Sequence, residues 1–367
     1  MAALRDSLDA FFGRGRYSAS VPVMDGPLQP NSALEKANVL TASPGLDNLV
    51  PVGESLLFTS GARLLRFSAQ ESESVEVWCA PAQISCLAVD SKGAVAAGID
   101  GVGIDIRGGS HNGHQIRLSP SGQLSCPTAA LFFDEDTLIV ASGSARHKAA
   151  DWKSDLMNRG ASGTVWRFDL RTGKANLVGD RLAFPFGLAR ASGDDILVSE
   201  AWRHRIIRFG ARPGVHVALG GLPGYPSRLV SATGGGYWLC LFAPRNQLIE
   251  FVLKERGYRR KMMASVHPDL WIAPSLASGT SFKEPLQGGA VKQMGILKPW
   301  APARSHGLLV RLNSEIWPIQ SWHSRADGSR HGVTSVCEFE GRLIAGAKGP
   351  GLALDLGLVH PHSLESF

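Results

Sequence analysis

The chain has 367 residues and a formal net charge of +6, with 44% hydrophobic and 19% charged residues. Its lysines and arginines are scattered apart from the run KERGYRRK, which we interpret as a solvated helix face. Neither a basic stripe nor a known nucleic-acid-binding module is present, so nucleic acid is not an expected partner. The 42 glycines and 21 prolines favour many short strands joined by tight turns.

Residues 1–37 are predicted to be an N-terminal extension with a short helix near its start. Arg5, Asp6 and Asp9 interrupt its apolar residues, which excludes the apolar core of a secretion signal. No later run approaches the roughly 18 apolar residues of a membrane span. We therefore expect a cytoplasmic protein without a membrane partner. The five cysteines are widely spaced and lack metal-ligand spacing, which predicts free thiols.

Residues 38–367 are predicted to form one domain, because a unit of about forty residues recurs along them. Each copy has an apolar strand, a Gly or Asp turn, a second apolar strand and a third strand that carries an arginine. The copies cover 48–68, 85–106, 128–143 with 163–174, 186–210, 227–253 and 334–356. Six such units predict an all-β fold, a six-bladed β-propeller whose first strands line a central channel.

Two insertions interrupt the repeat. Residues 144–162 show helical spacing of Ala149, Trp152 and Leu156, whereas residues 254–304 are too long for a turn and too rich in Pro and Gly for one helix. Long loops in a compact fold usually carry function. We expect both insertions to lie over one face of the propeller, at the mouth of the channel.

The run FPFGLARASGDDILVSEAWRHRIIRF, followed by LPGYPSRLVSATGGGYWLCL, resembles the strictosidine-synthase-like family of six-bladed propellers. That family is distantly related to the gluconolactonase and regucalcin propellers. The closing run HGVTSVCEFEGRLIAGA fits the same family. The resemblance implies a small-molecule site at the channel mouth. It also implies one of two chemistries: a metal-free Pictet–Spengler condensation, or hydrolysis of lactones and aryl esters with a divalent cation, usually calcium.

The hydrolytic branch of the resemblance implies a calcium site made of one Glu, two Asn and one Asp at the starts of inner strands. The matching positions here are Asp47, Thr128, Phe186 and Ser227. Of these, Asp47 alone keeps an ionisable oxygen, and a phenylalanine cannot bind a cation. We therefore expect no cofactor. Calcium is disfavoured, and Asp47 and Asn48 are the remaining weak metal candidates.

The condensing branch implies a general base near the start of the last inner strand. The matching residue is Thr334, which cannot replace a carboxylate base. A few residues earlier, His331 could titrate near neutral pH. A true strictosidine synthase activity is therefore not expected.

Three candidate catalytic residues follow from the geometry of a blade. Because its first two strands are antiparallel, the end of the second lies at the same rim as the start of the first. Glu200, like Asp100, Ser142 and Lys348 at the end of a second strand, should therefore share a rim with Asp47 and Thr334. With His331 near Thr334, the candidate catalytic residues are Glu200, Asp47 and His331. A structural role for Glu200, in which it accepts backbone N–H bonds or pairs with an arginine, stays open.

The candidate substrate-binding residues lie at the same rim or reach it from the first insertion. They are Phe186, Arg228, Asn48, Thr128, Ser227, Thr334, His147 and Trp152. Arg228 could hold a substrate carboxylate in bidentate fashion or form a salt bridge between blades. His147 and Trp152 could instead belong to a solvated helix packed on the propeller.

These observations support two functions from different classes. The first is an enzyme that acts on a small molecule, of lactone or ester hydrolase type, without the usual full calcium site. The alternative is a non-catalytic propeller that binds a small molecule or a protein partner.

Overall fold

The computed structural model describes residues 21–68, 73–117, 124–210, 214–279, 281, 283–285, 292–293, 296–297 and 304–359. The short helix predicted near the start of the chain lies outside these residues. Before the first strand, the chain forms a 3-10 turn (Gly26–Leu28) and a short helix, α1 (Ala33–Lys36).

The strands form six four-stranded antiparallel sheets, which are the blades of a propeller. Strand β1 (Asn38–Ala42) belongs to the last blade. Blade one has β2 (Leu46–Val52), β3 (Ser55–Ser60), β4 (Arg63–Ser68) and β5 (Val75–Cys79); blade two has β6 (Ile84–Val89), β7 (Val95–Ile99), β8 (Gly103–Arg107) and β9 (Gln115–Arg117). Blade three has β10 (Pro127–Phe132), β11 (Thr137–Ser142), β12 (Gly163–Asp169) and β13 (Ala175–Leu182).

Blade four has β14 (Pro185–Arg190), β15 (Ile196–Glu200), β16 (Arg205–Phe209) and β17 (His216–Leu219), with a 3-10 turn at Ala201–Arg203. Blade five has β18 (Gly224–Ser231), β19 (Tyr237–Pro244), β22 (Leu308–Leu312) and β23 (Pro318–His323); blade six has β24 (Val333–Phe339), β25 (Arg342–Ala347) and β26 (Leu352–Leu358). The predicted six-bladed β-propeller is confirmed.

The first and last strands of the ring close it together. β1 pairs antiparallel with β26, with Asn38 opposite Asp355 and Ala42 opposite Leu352. The inner strands β2, β6, β10, β14, β18 and β24 each contact the inner strands of both neighbouring blades. The channel is therefore surrounded by the starts of six inner strands.

Apolar side chains fill each of the six interfaces between blades. Along β3, Leu56 and Phe58 pack towards blade six, whereas Leu57 between them packs towards blade two. Successive side chains of a strand point to opposite faces, and here both faces meet a neighbouring blade. This arrangement explains why the repeat is apolar at consecutive positions rather than at alternate ones.

The first insertion, between β11 and β12, contains a 3-10 turn (Ala149–Asp151) and helix α2 (Trp152–Met157). The second insertion differs from the prediction, which assigned the third strand of blade five to residues before 254. The chain instead forms α3 (Gln247–Lys254), α4 (Arg256–Ser265), a 3-10 turn (Pro268–Leu270) and the hairpin β20 (Lys292–Gln293) and β21 (Ile296–Leu297). The second insertion therefore comprises residues 245–307.

Helix α3 has a clear physical origin. The side chain of Asn246 accepts a hydrogen bond from the Leu248 amide and caps the helix start. Ile249 and Val252 bury one face, while Phe251 is 54% exposed. Buried residues three apart suit a helix, so the third strand of blade five is displaced to β22.

Candidate functional site

A cavity lies at one mouth of the channel, beneath the two insertions. Its empty volume, which includes the open solvent at the mouth, is about 410 Å³, within the range of small-molecule sites. Its polar side is formed by Asp47, Gln83, Ser85, Thr334 and Lys348, and its apolar side by Ala149, Trp152, Phe184, Phe186, Phe242 and Leu276. The polar residues come from blades one, two and six, whereas the apolar residues come from around blades four and five and from the insertions.

The site residues point inward because every inner strand is irregular near its start. The pairing register of each inner strand with its neighbour shifts at or next to Asn48, Ser85, Thr128, Phe186, Ser227 and Thr334. Bulges re-aim side chains and recur beside functional sites. In blade five the shift spans Ser227 and Arg228 together, and Asn48 has a left-handed φ of 57°.

Asp47 is the centre of the polar side. Its Oδ1 accepts hydrogen bonds from the Thr334 hydroxyl and the Asn48 amide, both at 2.8 Å, and its Oδ2 accepts one from Lys348 Nζ at 2.9 Å. Burial opposes the charged form, but the charges of Arg228 and Lys348 and these hydrogen bonds outweigh it and lower the pKa of Asp47 to about 2. Asp47 is therefore ionised at neutral pH and is a weak base.

Arg228 reaches across the channel from blade five. Its Nη2 donates to Asn48 Oδ1 and, at 2.6 Å, to the Ser85 carbonyl, and its Nη1 donates to the Thr334 carbonyl at 3.4 Å. Nη1 also lies 3.6 Å from Asp47 Oδ1. Of the two roles predicted for Arg228, the structure therefore displays the contact between blades.

Lys348 follows β25 directly, and its amide donates to the Gly332 carbonyl at 2.9 Å. The Lys348 side chain is 24% exposed, compared with 4% for the side chain of Asp47. It is therefore the cation of this group that is most open to the cavity.

Thr128 and Ser227 are fully buried, and their hydroxyls connect blades. Thr128 donates to the Pro185 carbonyl at 2.5 Å, and Ser227 donates to the Val333 carbonyl at 3.4 Å. Ser85 connects blades in the same way, by donating to the Pro127 carbonyl at 2.5 Å. Thr128 and Ser227, predicted to bind substrate, are thus not among the residues that line the cavity.

The apolar side is a set of aromatic rings in edge-to-face contact. Phe186 lies 5.5 Å from Phe184 and 5.8 Å from Phe242, and Trp152 lies 5.3 Å from Phe242, between ring centroids. Both insertions join the hydrophobic cluster that contains these rings. The prediction that the insertions cover the channel mouth agrees with this packing for Trp152 and Leu276.

A buried carboxylate ties the first insertion to the propeller. Asp100, which follows β7, accepts hydrogen bonds from the amides of Ala149 at 2.7 Å and Ala150 at 3.1 Å. Burial raises the pKa of Asp100, although these bonds oppose the rise. The position of Trp152 over the cavity therefore depends on a residue of blade two.

The structure does not bring Glu200 to the cavity. Glu200 is fully buried, and its Oε1 accepts hydrogen bonds from the Ala183 amide at 2.7 Å and from Arg203 at 2.5 Å. Its Oε2 accepts one from Arg205 Nε at 2.5 Å. Both carboxylate oxygens of Glu200 are therefore engaged. This agrees with the structural role for Glu200 that the sequence analysis left open.

The two predicted histidines also lie away from the cavity lining. His331 Nδ1 is 2.7 Å from the Ser305 hydroxyl, and its Nε2 is 2.8 Å from the Arg325 carbonyl. Burial lowers the pKa of His331. In the first insertion, His147 Nε2 is 3.4 Å from the side-chain amide of Asn158.

Sequence reasoning placed Lys348 on the rim, after the second strand of its blade, but chose Glu200 as the candidate catalytic residue. It missed other residues of the cavity. Phe184 and Phe242 are aromatic residues near strand ends, as Phe186 is. Leu276 lies in the irregular part of the second insertion, where no periodic pattern marks it.

Comparison with known proteins agrees with the resemblance seen in the sequence. The family model described as strictosidine synthase matches residues 132–212. The adipocyte plasma membrane-associated protein of Bos taurus is 24% identical over 275 residues, which are 66% of this chain and 66% of that protein. Strictosidine synthase-like 10 of Arabidopsis thaliana is 25% identical over 129 residues, which are 34% of each chain.

The chain is therefore similar to strictosidine-synthase-like proteins over part of its length. The aligned region spans less than two thirds of each of these relatives.

Solved structures with a similar fold include a gluconolactonase and a regucalcin. A gluconolactonase from Xanthomonas campestris superposes with a TM-score of 0.55 at 13% identity, covering 92% of this chain and 97% of that one. A calcium-binding regucalcin from Agrobacterium tumefaciens superposes with a TM-score of 0.52 at 11% identity, covering 88% and 93%. At such identities the likeness concerns the fold alone.

The residues of this propeller do not fit the calcium site that the family resemblance implies. Phe186 offers no oxygen, the hydroxyls of Thr128 and Ser227 donate to carbonyls, and Asp47 is paired with two cations. Among the described residues, no three His, Cys, Asp or Glu side chains are placed to share a metal ion.

No helix in the described part of the chain has the length and apolar character needed to cross a bilayer.

Proposed function

We propose that this propeller binds a small, largely apolar molecule at the mouth of its channel and hydrolyses a lactone or ester bond in it without calcium. The observation that carries the proposal is the meeting of an aromatic wall and a partly exposed cation, Lys348, in one cavity. Such a cavity suits a ligand with an apolar body and one carbonyl group. Nucleic acid and membranes are not proposed as partners, and a cytoplasmic location stays a prediction.

The net charge of the polar side favours a substrate oxygen that becomes negatively charged during the reaction. Arg228 and Lys348 each contribute one positive charge and Asp47 one negative charge, which leaves a net charge of +1. Lys348 has three N–H donors, of which one is used on Asp47. A cation held in a cavity of low polarity stabilises a developing oxyanion more strongly than water does.

The proposed reaction needs no group beyond water and these residues. The water oxygen adds to the carbonyl carbon, and the carbonyl oxygen becomes an oxyanion beside the Lys348 ammonium. The bond from that carbon to the leaving oxygen then breaks, and the leaving oxygen receives the proton that the water gives up. The aromatic rings hold the apolar body of the substrate, and Asp47 holds the ammonium in place.

The pKa of Asp47 limits the range of substrates. Asp47 is the carboxylate that lines the cavity, and at a pKa of about 2 it removes a proton from water poorly at neutral pH. Substrates whose carbonyl is already reactive should therefore be preferred. We expect turnover of strained lactones and aryl esters rather than of alkyl esters.

The test is a panel of aromatic and aliphatic lactones and aryl esters, each assayed in EDTA and in calcium chloride. We expect turnover that is equal in both. Lys348→Met should lower kcat by about a hundredfold, the loss typical of one oxyanion donor. Lys92→Met, which removes an exposed lysine paired with Glu135, should leave kcat unchanged. Turnover abolished by EDTA would contradict the proposal.

A second candidate function, a non-catalytic binder of a small aromatic acid, is favoured by one observation. Both oxygens of Asp47 are engaged by hydrogen-bond donors, so the carboxylate among the described residues of the polar side is not a free base. A rise in Tm with aromatic carboxylates, without turnover of any substrate in the panel, would support this candidate. A Pictet–Spengler condensation is not proposed, because Thr334 stands where its base is needed.

A further inference from the structure

Four oxygens surround the guanidinium of Arg228. They are Asp47 Oδ1, Asn48 Oδ1 and the main-chain carbonyl oxygens of Ser85 and Thr334. We call these four atoms the oxygen cage. They come from blades one, two and six, whereas Arg228 comes from blade five, which lies opposite blade two and next to blade six.

The oxygen cage has the composition of a site for a hard cation. One carboxylate, one amide carbonyl and two main-chain carbonyls are the ligand types that Ca²⁺ takes in proteins, with water completing six to eight positions. The cage is also tightly held, because Thr334 and the Asn48 amide bond Asp47 at 2.8 Å and Asn48 bonds the Thr59 hydroxyl at 2.8 Å.

The positive charge of the guanidinium already balances the negative charge on the oxygens of the cage. An arginine guanidinium carries a positive charge and donates through several N–H groups in one plane. The face of the Arg228 guanidinium is covered by Phe186, whose ring centroid lies 5.1 Å from the guanidinium carbon. An aromatic ring cannot ligate a metal ion, but it stabilises a guanidinium.

We propose that Arg228 is a built-in substitute for a divalent cation, and that the oxygen cage binds Ca²⁺ once the guanidinium is removed. This inference rests on the calcium-independent function proposed above, for which it gives a structural reason. It concerns a side chain that organises the site, not the substrate, so it can be tested without any turnover.

Lys348 affects how strongly the emptied cage binds calcium. Its ammonium stays on Asp47 Oδ2, whereas Oδ1 faces the cage. Arg228→Ala alone leaves Asp47 and Lys348 with no net charge, and Arg228→Ala with Lys348→Met leaves one negative charge. Since calcium affinity rises with ligand charge, the double variant should bind at least about tenfold more tightly than the single variant.

The experiment measures Tm in about 5 mM calcium chloride, in equal magnesium chloride and in EDTA. We expect calcium to raise the Tm of Arg228→Ala by about 3 °C or more over magnesium, and that of the double variant further. The unsubstituted protein and Arg228→Lys, which keeps a cation in the cage, should not respond.

Arg311→Ala is the matched control. Arg311 is buried, donates to the carbonyls of Tyr237, Leu312 and Gly235, and lies over the ring of Trp238. Its loss should lower Tm in a way that calcium does not restore.

Equal Tm values in calcium and EDTA for both the single and the double variant would overturn the inference. If Arg228→Ala is insoluble, Arg228→Met, which keeps the apolar stem against Phe186, is compared in the same way and judged by the same criterion. Calcium binding by the unsubstituted protein, measured by calorimetry, would also overturn it. A negative substrate panel would contradict the proposed hydrolysis and leave this result unaffected.

Discussion

The guanidinium carbon of Arg228 lies over the ring of Phe186, 5.1 Å from its centroid. Arg228 comes from blade five and Phe186 from blade four, so the contact joins neighbouring blades at the channel mouth. It also joins the aromatic wall of the cavity to its charged side.

Phe186→Asn tests whether calcium is excluded by the Arg228 guanidinium or by the absence of a side-chain oxygen at position 186. The substitution supplies the side-chain oxygen implied by the family resemblance but leaves the guanidinium in the oxygen cage. We expect no calcium binding by calorimetry, and a loss of about 3 kcal/mol in the free energy of unfolding measured in urea. Phe186→Leu, which keeps an apolar side chain, should lose less. Calcium binding by Phe186→Asn alone would show that Arg228 leaves the cage easily.

Asp47 should make the fold sensitive to acid. Its pKa is about 2 in the folded protein, below its ordinary 3.8, so the unfolded chain takes up the proton first as the pH falls. The stabilisation, roughly 2 kcal/mol, is fully present above about pH 4 and is lost as the pH falls towards 2. The free energy of unfolding of the unsubstituted protein and of Asp47→Asn should therefore converge over this range.

Asp194→Asn, a change to an exposed carboxylate, is the control for Asp47→Asn and should track the unsubstituted protein. Parallel pH curves for the unsubstituted protein and Asp47→Asn would contradict the low pKa.

Glu200→Gln should weaken the fold without altering the cavity. The change leaves Arg203 and Arg205 without their shared carboxylate, and their side chains are 41% and 23% exposed. Because water reaches both arginines in part, we expect a loss of about 2 kcal/mol, below the range for fully buried pairs. Urea unfolding measures the loss, and exposed Glu54→Gln is its control. A fall in kcat with unchanged stability would restore the catalytic role first predicted for Glu200.

Asp100→Ala should loosen the first insertion locally. The amides of Ala149 and Ala150 lose their shared carboxylate acceptor, so their protection from hydrogen exchange should fall by about tenfold or more. Asp151→Ala removes a neighbouring carboxylate that makes no cap bond to α2 and should leave the exchange unchanged. Equal exchange in the two variants would mean that other contacts hold the insertion.

The repeat could be predicted from the sequence because each blade is made of strands close together in the chain. Leu56, Leu57 and Phe58 show the reason, since both faces of one strand meet a neighbouring blade. The prediction for the fifth copy was wrong at its third strand, because Ile249 and Val252 fit either a strand or a helix that buries one face. Local pattern does not decide between these two structures.

The site was harder to predict, because its contacts join distant parts of the chain through bulges. Asn48 and Arg228 are 180 residues apart. The register shift in β18 directs Arg228 into the channel, whereas the hydroxyl of the adjacent Ser227 donates to the carbonyls of Cys240 and Val333. Glu200 and Lys348 end the second strands of their blades, yet Glu200 pairs with arginines three and five residues later. Strand position alone therefore identifies a rim, but not which rim residues meet.

Blade six contains both β1 and the last three strands of the chain, so the polar side of the cavity can be completed only after these strands have been synthesised. Asp47 follows β1, and Lys348 precedes β26, the strand that pairs with β1. A growing chain that lacks its last blade exposes Asp47 as an ordinary solvated carboxylate, without Lys348 or Thr334 beside it. The polar side of the cavity is thus completed last, when β26 pairs with β1. Ribosome-bound fragments that contain five finished blades should therefore still lack it.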